Sequence, residues 1–339
     1  MSNLPLVSVI VLNWNGKKFL QECFESLKNQ IYPNLELIMV DNNSSDGSVD
    51  FVKNNFSDII VIKNNENFGF AKGNNIGIKT ARGDYVFVLN NDTKTDKNCI
   101  KFLVETAENN RGIGMAAPKI VSINNPKLID SVGMNIYPDG LARGKGRNET
   151  DSGQYNKTSE ILFPSACAAL YRKKMLNEIG LFDETFFAYC EDTDLGIRAR
   201  LAGWQGLTEP KAVVYHHYSG TFGKYSETKA FLTERNHFFV AIKNFPISLI
   251  LLLPFYTLSR YLFIIYGLLK NKGPAAKFQS SKIKLIAVLI KAYLSLALSM
   301  PYLLKERKKI QKNKKTSSKE LLKLFKKYRL KVSQVALLE

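Results

Sequence analysis

The sequence predicts an α/β protein: a mostly parallel central sheet flanked by helices, followed by a C-terminal helical segment that meets a membrane. Three observations carry this. Short apolar runs of strand length recur at residues 7–12, 35–40, 59–62 and 85–89, each bounded by turn residues. Helical periodicity fills the intervals, and strands alternating with helices argue for right-handed βαβ units and a parallel sheet. Polar clusters follow in order: Asp41 in VDNNSSDGS, Asp92 in LNNDT, Glu191 and Asp192 in YCEDTDLGIR, then His216 and His217. The first two stand directly after apolar runs, where open α/β sheets bind ligands. Several such positions on one chain point to one cleft, and so to an enzyme.

Each element has its own signal. Phe19, Cys23, Phe24 and Leu27 repeat at helical spacing, and Val49, Phe51, Val52 and Phe56 partly do so. Beyond Asp92, residues 100–107 predict a helix, 133–154 a Gly- and charge-rich loop, and 161–171 a strand. Residues 192–202 predict a helix with Leu195, Ala199 and Leu201 facing inward, and 213–215 a last short strand. No internal repeat is present. A chain of 339 residues, 45% hydrophobic and 23% charged, can bury one α/β domain and carry an appendage. We place that domain at residues 1–245.

The net charge of +18 is uneven. Residues 305–331 hold 13 Lys/Arg against two Glu, so 13 − 2 = +11 is local and 18 − 11 = +7 remains elsewhere. The basicity therefore belongs to a C-terminal tail, residues 305–339, and says little about the fold. Cys23, Cys99, Cys167 and Cys190 show no paired or metal-ligand spacing, which predicts reduced thiols in a cytosolic compartment. The first residues lack the basic and apolar regions of a signal peptide, so the sequon Asn91-Asp92-Thr93 is expected to stay idle.

Around Phe245 the character changes. Residues 248–269 and 283–304 are each about the ~20 residues a bilayer span requires. Pro254 and Arg260 interrupt the first, Lys284 and Lys291 the second. A mid-span charge costs roughly 2.5–3.5 kcal/mol, so an interfacial hairpin over residues 246–304 fits better than a clean span. The alternative is a buried helical pair. No motif acid or His lies in this stretch, which is expected to hold the protein on a membrane without carrying chemistry.

The motifs each have a plainer reading. Asp41 can accept hydrogen bonds from a ribose hydroxyl or a base N–H, while Asp46 and Ser48 also read as helix caps. NFGFAKGNN, residues 67–75, is Gly-rich and opens a helix, so its backbone N–H groups could face a phosphate. It is not GxGxxG and lacks a Walker Lys-Ser/Thr, which speaks against NAD and ATP. Asp92 is a hard-oxygen ligand for Mg²⁺ or Mn²⁺, or an Asx turn. Glu191, Asp192 and Asp194 crowd the first turn of a helix. Capping explains part of this, and like-charge crowding can raise one pKa towards that of a working base. His216 and His217 are metal-ligand candidates in a chain with three histidines.

Together these segments resemble the family 2 glycosyltransferases, which have the Rossmann-like GT-A fold, and among them the bacterial rhamnosyltransferase-type enzymes of surface polysaccharide and cell-wall synthesis. The likeness rests on VSVIVLNWNG, VDNNSSDGS, NFGFAKGNNIGI, GDYVFVLNNDT, GLFDETFFAYCEDTDLGIRARLAGW and VVYHHYSGT, from residue 7 to about 225. It implies that Asp41 contacts the nucleoside of a sugar nucleotide, with Asn13, Asn15, Asn43, Gly69, Lys72, Asn74 and Asn91 also on the donor side. Asn91 and Asp92 fall at the metal-binding DXD position, where Asn90 replaces the first acid. Asp92 and His216 would hold Mg²⁺ or Mn²⁺. Asp192 stands at the position of the catalytic base with Glu191 beside it, and Trp204 and Asp194 stand on the acceptor side.

The resemblance further implies inverting transfer of a sugar such as rhamnose from a dTDP- or UDP-linked donor to a glycan or lipid-linked glycan. Work at the cytoplasmic face of the cell membrane, as a peripheral or monotopic protein, is expected from the apolar stretches, the basic tail and the lack of a signal peptide, with no nucleic-acid partner. Two rivals remain. A carbohydrate-active hydrolase also uses two carboxylates but needs no nucleotide loop. A non-enzymatic basic membrane-surface scaffold explains residues 305–339 but not the acids at strand ends.

Overall fold

A computed structural model describes residues 4–217, 226–278 and 281–338. The chain forms two compact units. The first comprises Met1–Met134, Gly144–Phe187 and Trp204–Tyr218, and the second Asn135–Arg143, Ala188–Gly203 and Ser219–Glu339.

The first unit begins with β1 (Val7–Asn13), α1 (Lys17–Lys28), β2 (Leu35–Asp41), α2 (Ser48–Asn55), β3 (Ile60–Lys63), α3 (Gly69–Thr80) and β4 (Tyr85–Asn90). β1 pairs in parallel with β2 and β4, and β2 with β3, as the alternating pattern predicts. Next come β5 (Thr93–Thr95), α4 (Cys99–Glu108), β6 (Ile113–Ser122) and β7 (Ile129–Ser131). The short pair β8 (Met134–Ile136) and β9 (Ala142–Gly144) follows, inside the stretch read as a loop; its residues Asn135–Arg143 belong to the second unit. β10 (Ser159–Ile161), β11 (Ala168–Arg172) and α5 (Lys173–Ile179) come next; α6 (Glu191–Leu201) belongs to the second unit, and β12 (Gln205–His216) returns to the first. The strand order is β10-β12-β6-β11-β4-β1-β2-β3, with β5 on β12 and β7 on β6.

Two local readings differ from the structure. Residues 161–171 are not one strand: β10 lies at the sheet edge, while β11 inserts antiparallel between β4 and β6. The last strand is 12 residues long rather than three, because its first half is polar and irregular, with a register shift between Glu209 and Val213. The core forms where the sequence places it. Leu20, Cys23, Phe24 and Leu27 of α1 are buried against Val7, Val9 and Val11 of β1. α3 also packs on this sheet. A Cβ at Gly73 would stand 2.5 Å from Leu12, and one at Gly77 2.6 Å from Ile10, so glycine allows the close approach of helix to strand.

The second unit is helical: α6, then α7 (Glu227–Asn244), α8 (Ile247–Ile250), α9 (Leu253–Leu269), α10 (Lys282–Asn313), α11 (Ser318–Lys327) and α12 (Val332–Ala336). Its limits depart from the three-part division expected from composition. α6 and α7 group with the C-terminal helices, and α10 runs straight through residues 304 and 305. Pro254 occupies the first turn of α9, where its missing N–H costs nothing. The basic stretch is folded rather than a loose tail. Lys315 and Thr316 donate backbone N–H groups to the Leu201 carbonyl, Leu330 N–H donates to Ile136, and the Phe325 ring stands 4.8 Å from that of Phe245.

Candidate functional site

At the carboxyl ends of β1, β2 and β4 the backbone register sets Asn13 beside Asp41 and Leu12 beside Asn90. The side chains there form one network. Asn13 donates to Asp41 Oδ1 at 2.8 Å, Ser44 Oγ donates to the same oxygen at 2.6 Å, and Ser44 N–H donates to Asp41 Oδ2 at 2.8 Å. Asn91 donates to Asn13 Oδ1 at 2.7 Å, which ties the DXD position to the strand ends. Asn15 donates its N–H to Ser44 and accepts from Ser45 N–H. Gly16 is required beneath this network: a Cβ there would stand 2.0 Å from Asn91 Nδ2. Asp41 is fully buried and organises the turn, whereas Asn43 is exposed in the left-handed region at φ 59°. Asp46 accepts N–H groups from Lys17 and Ser48, so the capping reading holds for that pair.

β12 brings His216 to the residue after Asp92 through its pairing with β5. His216 Nε2 lies 3.4 Å from Asp92 Oδ1, and its Nδ1 lies 2.7 Å from Asp130 Oδ2; Arg147 holds the other Asp130 oxygen at 2.6 Å. Asp92 and His216 are both buried. Burial opposes a charge on His216, yet Cys167, Asp130 and Asp92 push its pKa well above the usual value. His217 turns elsewhere, to Glu22 at 3.0 Å and the Phe19 ring. Tyr218 to Thr221 of the last motif lie outside the described residues.

The expected amide cradle at the start of α3 is not formed. Phe70 and Ala71 N–H groups both donate to the Phe187 carbonyl, at 2.6 and 3.1 Å, and Gly69 N–H donates to Asn67 Oδ1. Gly69, at φ +74°, serves this close approach, since a Cβ would meet Phe187 O at 2.5 Å. These amides are thus occupied by protein rather than open to a phosphate. Lys72, its ammonium 3.4 Å from the Phe68 ring centroid, is the cation there. Asn74 is buried, with its Oδ1 unpartnered.

In the second unit, α6 opens behind Tyr189 and Cys190, both left-handed at φ 69° and 68°. Strain of this kind is tolerated where surrounding structure fixes it, and such positions cluster at functional sites. The three carboxylates separate in role. Asp192 is half-buried, with Oδ1 accepting from Thr193 N–H at 2.7 Å. Glu191 is buried, with Oε2 unpartnered; burial, then the neighbouring Asp192 charge, raises its pKa well above the usual carboxylate range. Asp194 is fully buried and bound by Arg198, Lys243 and Asn244, each at 2.8 Å. Burial would raise its pKa, but Lys243 and Arg198 hold it far below the normal range. Asp194 therefore cannot meet an acceptor; it pins α6 to α7. Trp204 also departs from the expectation. It precedes β12 at the end opposite His216 and donates to Glu178.

Asp92 and His216 suit a divalent ion by their donor types. Nδ1 is held by Asp130 and Nε2 faces Asp92 at 3.4 Å, a carboxylate-backed imidazole of the kind common among metal-binding histidines. Among the described residues no group of three or more acids, Cys or His could form a complete cage. Further ligands would come from water and substrate phosphates, as Mg²⁺ and Mn²⁺ prefer.

Residues 8–180, just over half the chain, match Glycosyl transferase family 2. The chain belongs to that family and is a glycosyltransferase. A Methanococcus voltae protein, dolichyl N-acetyl-alpha-D-glucosaminyl phosphate 3-beta-D-2,3-diacetamido-2,3-dideoxy-beta-D-glucuronosyltransferase, is 23% identical over 285 residues, 78% of this chain and 84% of its own length. A probable Bacillus subtilis glycosyltransferase, YdaM, is 27% identical over 234 residues; the match covers 66% of this chain but about half, 53%, of that relative. The Pyrobaculum calidifontis mannosyltransferase PcManGT, solved with GDP-Man and Mn²⁺, superposes with a TM-score of 0.54 at 17% identity, over 87% of this chain and 88% of its own. This last likeness speaks for the GT-A fold.

Proposed function

We propose that the chain is an inverting glycosyltransferase that moves a sugar from a nucleoside-diphosphate donor to a hydroxyl of a glycan or lipid-linked glycan, with a divalent ion at Asp92 and His216. The observation that carries this reading is the Asp92–His216–Asp130 group beside the Asn13–Asp41–Asn91 network at the strand ends. PcManGT, bound to GDP-Man and Mn²⁺, supports the donor and metal classes by analogy. A dTDP- or UDP-linked donor, rhamnose as the sugar and polysaccharide synthesis as the process rest on the motif resemblance, and the cytoplasmic membrane face as the place rests on the apolar and basic C-terminal stretches.

The Asp41 network orients the nucleoside, and Lys72 offsets charge on the diphosphate. When bound, the ion offsets charge building on the leaving diphosphate. Asp192 takes the proton from the acceptor hydroxyl as that oxygen bonds the anomeric carbon and the sugar–phosphate bond opens, one displacement with inversion. Positioned general bases contribute about 10²–10⁴ in rate.

The test is release of nucleoside diphosphate from UDP-, dTDP- and GDP-sugars by purified protein, with Mn²⁺ or EDTA. Mn²⁺-dependent release, lost in Asp92→Ala together with Mn²⁺ binding measured by calorimetry, is expected. Full activity in excess EDTA sinks the metal assignment, and no release from any donor sinks the reading as a whole.

A further inference from the structure

Of the 21 large hydrophobic residues exposed among the described residues, 16 fall between Ile247 and Leu304. They form rows. On α9, Phe255, Leu258, Leu262, Ile265 and Leu269 recur every three or four residues, and on α10, Ile283, Ile286, Ile290, Leu294 and Leu298 do the same. The opposite faces are buried, at Thr257, Arg260 and Gly267 of α9 and at Val288, Ala292 and Leu303 of α10.

The three cations that interrupt these apolar stretches all reach one face of α7. Lys284 Nζ lies 3.5 Å from Glu227, and Lys291 Nζ lies 5.2 Å from the Phe231 ring centroid. Arg260 grips Glu234 with two N–H groups at 2.9 and 3.0 Å and Asp139 with a third at 2.6 Å. Glu227, Phe231 and Glu234 are four and three residues apart, hence neighbours on α7.

The helix over residues 283–313 is long enough to cross a bilayer, and its most apolar 18-residue window has a mean hydropathy of 1.8. Crossing would strip these cations of their partners or drag α7 into hydrocarbon. Lying flat leaves every pair intact and wets no aliphatic row. The rows are also bordered mainly by cations: Lys270, Lys272 and Lys277 follow α9, and Lys305, Lys308 and Lys309 follow the apolar part of α10, all exposed, with Glu306 among them paired to Lys309. An apolar floor with a cationic rim complements an anionic lipid surface.

We propose that α9 and α10 lie in the interface of an anionic bilayer, rows among the acyl chains and lysines among the headgroups, neither helix crossing. This stands independently of the glycosyl-transfer reading, because it is measured without donor.

Full-length protein is floated with vesicles of phosphatidylcholine containing phosphatidylglycerol. Wild type is expected to float, and Leu262→Glu/Leu298→Glu to lose at least tenfold in bound fraction with unchanged melting and unchanged nucleotide release in solution. Should that pair fail to fold, Leu258→Ser/Leu294→Ser is expected to lose binding in the same direction. Lys277→Cys and Lys308→Cys should both react with an impermeant maleimide outside sealed vesicles. Protection of one of the two means a crossing helix and overturns the proposal. So does binding that the Glu pair leaves untouched, which would be electrostatic alone. A wild type that ignores vesicles but forms a dimer broken by the same pair assigns the rows to a second copy.

Discussion

Asp192 and Glu191 are sequence neighbours in different electrostatic positions, and the difference assigns the base. Glu191 is buried, with its pKa pushed well up, whereas Asp192 is half-buried and hydrogen-bonded. Asp192→Asn should therefore cost about 10²–10⁴ in turnover while nucleotide affinity stays within about twofold, as for an interaction made only in the transition state. Retention of more than about a tenth of wild-type turnover would transfer the role to Glu191. Asp130→Ala should weaken Mn²⁺ binding by about 10–100-fold, the usual cost of losing a carboxylate behind a ligating imidazole, read by calorimetry without donor. The placement of Asp92 and His216 after apolar runs and of Asp192 at the start of a helix was legible, although that helix is buried on nearly every side rather than on one face. Asp130 was not: its role arises only when β7 pairs with β6, the strand that β12 also joins, a pairing with no local signal. Gly16 was equally silent, since the clash it avoids is with Asn91, in the turn after β4 and far away in sequence.

Helices and strands were read well where burial was one-sided and poorly where pairing was irregular. β1, β2 and β4 follow from apolar runs largely buried in a parallel sheet, and β3 from a similar run that lies half-exposed at the sheet edge. β12 was cut short because Gln205, Thr208, Glu209 and Lys211 carry no strand alternation, although the chain there pairs with β6 along its length. The Gly-rich opening of α3 misled in the other direction, because glycines placed for packing on Ile10 and Leu12 resemble a phosphate loop. Arg260 in an apolar helix read as an interruption, yet it holds α9 to α7. Burial alone would raise the Glu234 pKa, but Arg260 and His237 bring it to about 2 from 4.5. A carboxylate depressed in the fold stabilises above its unfolded pKa and loses that contribution as pH falls through the folded one. Stability of the second unit should thus decline between about pH 4.5 and pH 2, followed by melting temperature. Arg260→Leu should cost roughly 3–5 kcal/mol at neutral pH, the penalty for stranding a buried partner, and should remove that acid dependence, because burial without the guanidinium pushes the Glu234 pKa up rather than down. An unchanged melting curve in the variant would mean that the ion pair contributes nothing to the fold.

At the scale of the whole molecule, the division read from composition and the division made by contacts differ, and the difference predicts the outcome of truncation. Composition draws a line near Phe245, after which the chain is apolar and then basic, so a protein ending there would be expected to gain solubility. The second unit is instead assembled from three separate stretches. Residues 135–143 supply Asp139 to Arg260 and Ile136 to the bridge with Arg329, residues 188–203 supply α6, and the remainder begins with α7. α7 is central to this assembly. Its buried Lys243 and Asn244 hold Asp194 of α6, its Glu234 holds Arg260 of α9, and Arg307 of α10 donates to the Ile242 and Phe245 carbonyls near its end. Ending the chain at Phe245 would uncover the α7 face that α10 covers and leave Glu234 and Asp139 without their guanidinium. Stranded buried carboxylates and newly exposed apolar surface both act against the fold. The shortened protein should collect in the insoluble fraction, or melt at lower temperature without a single cooperative transition, and should lose nucleotide release together with the support of α6 and its Asp192. Leu262→Glu/Leu298→Glu, which changes only the outward rows, should by contrast leave both melting and nucleotide release intact. A soluble, cooperatively melting protein ending at Phe245 that still releases nucleotide would show that α6 and α7 stand without the later helices. The C-terminal helices would then serve the membrane alone.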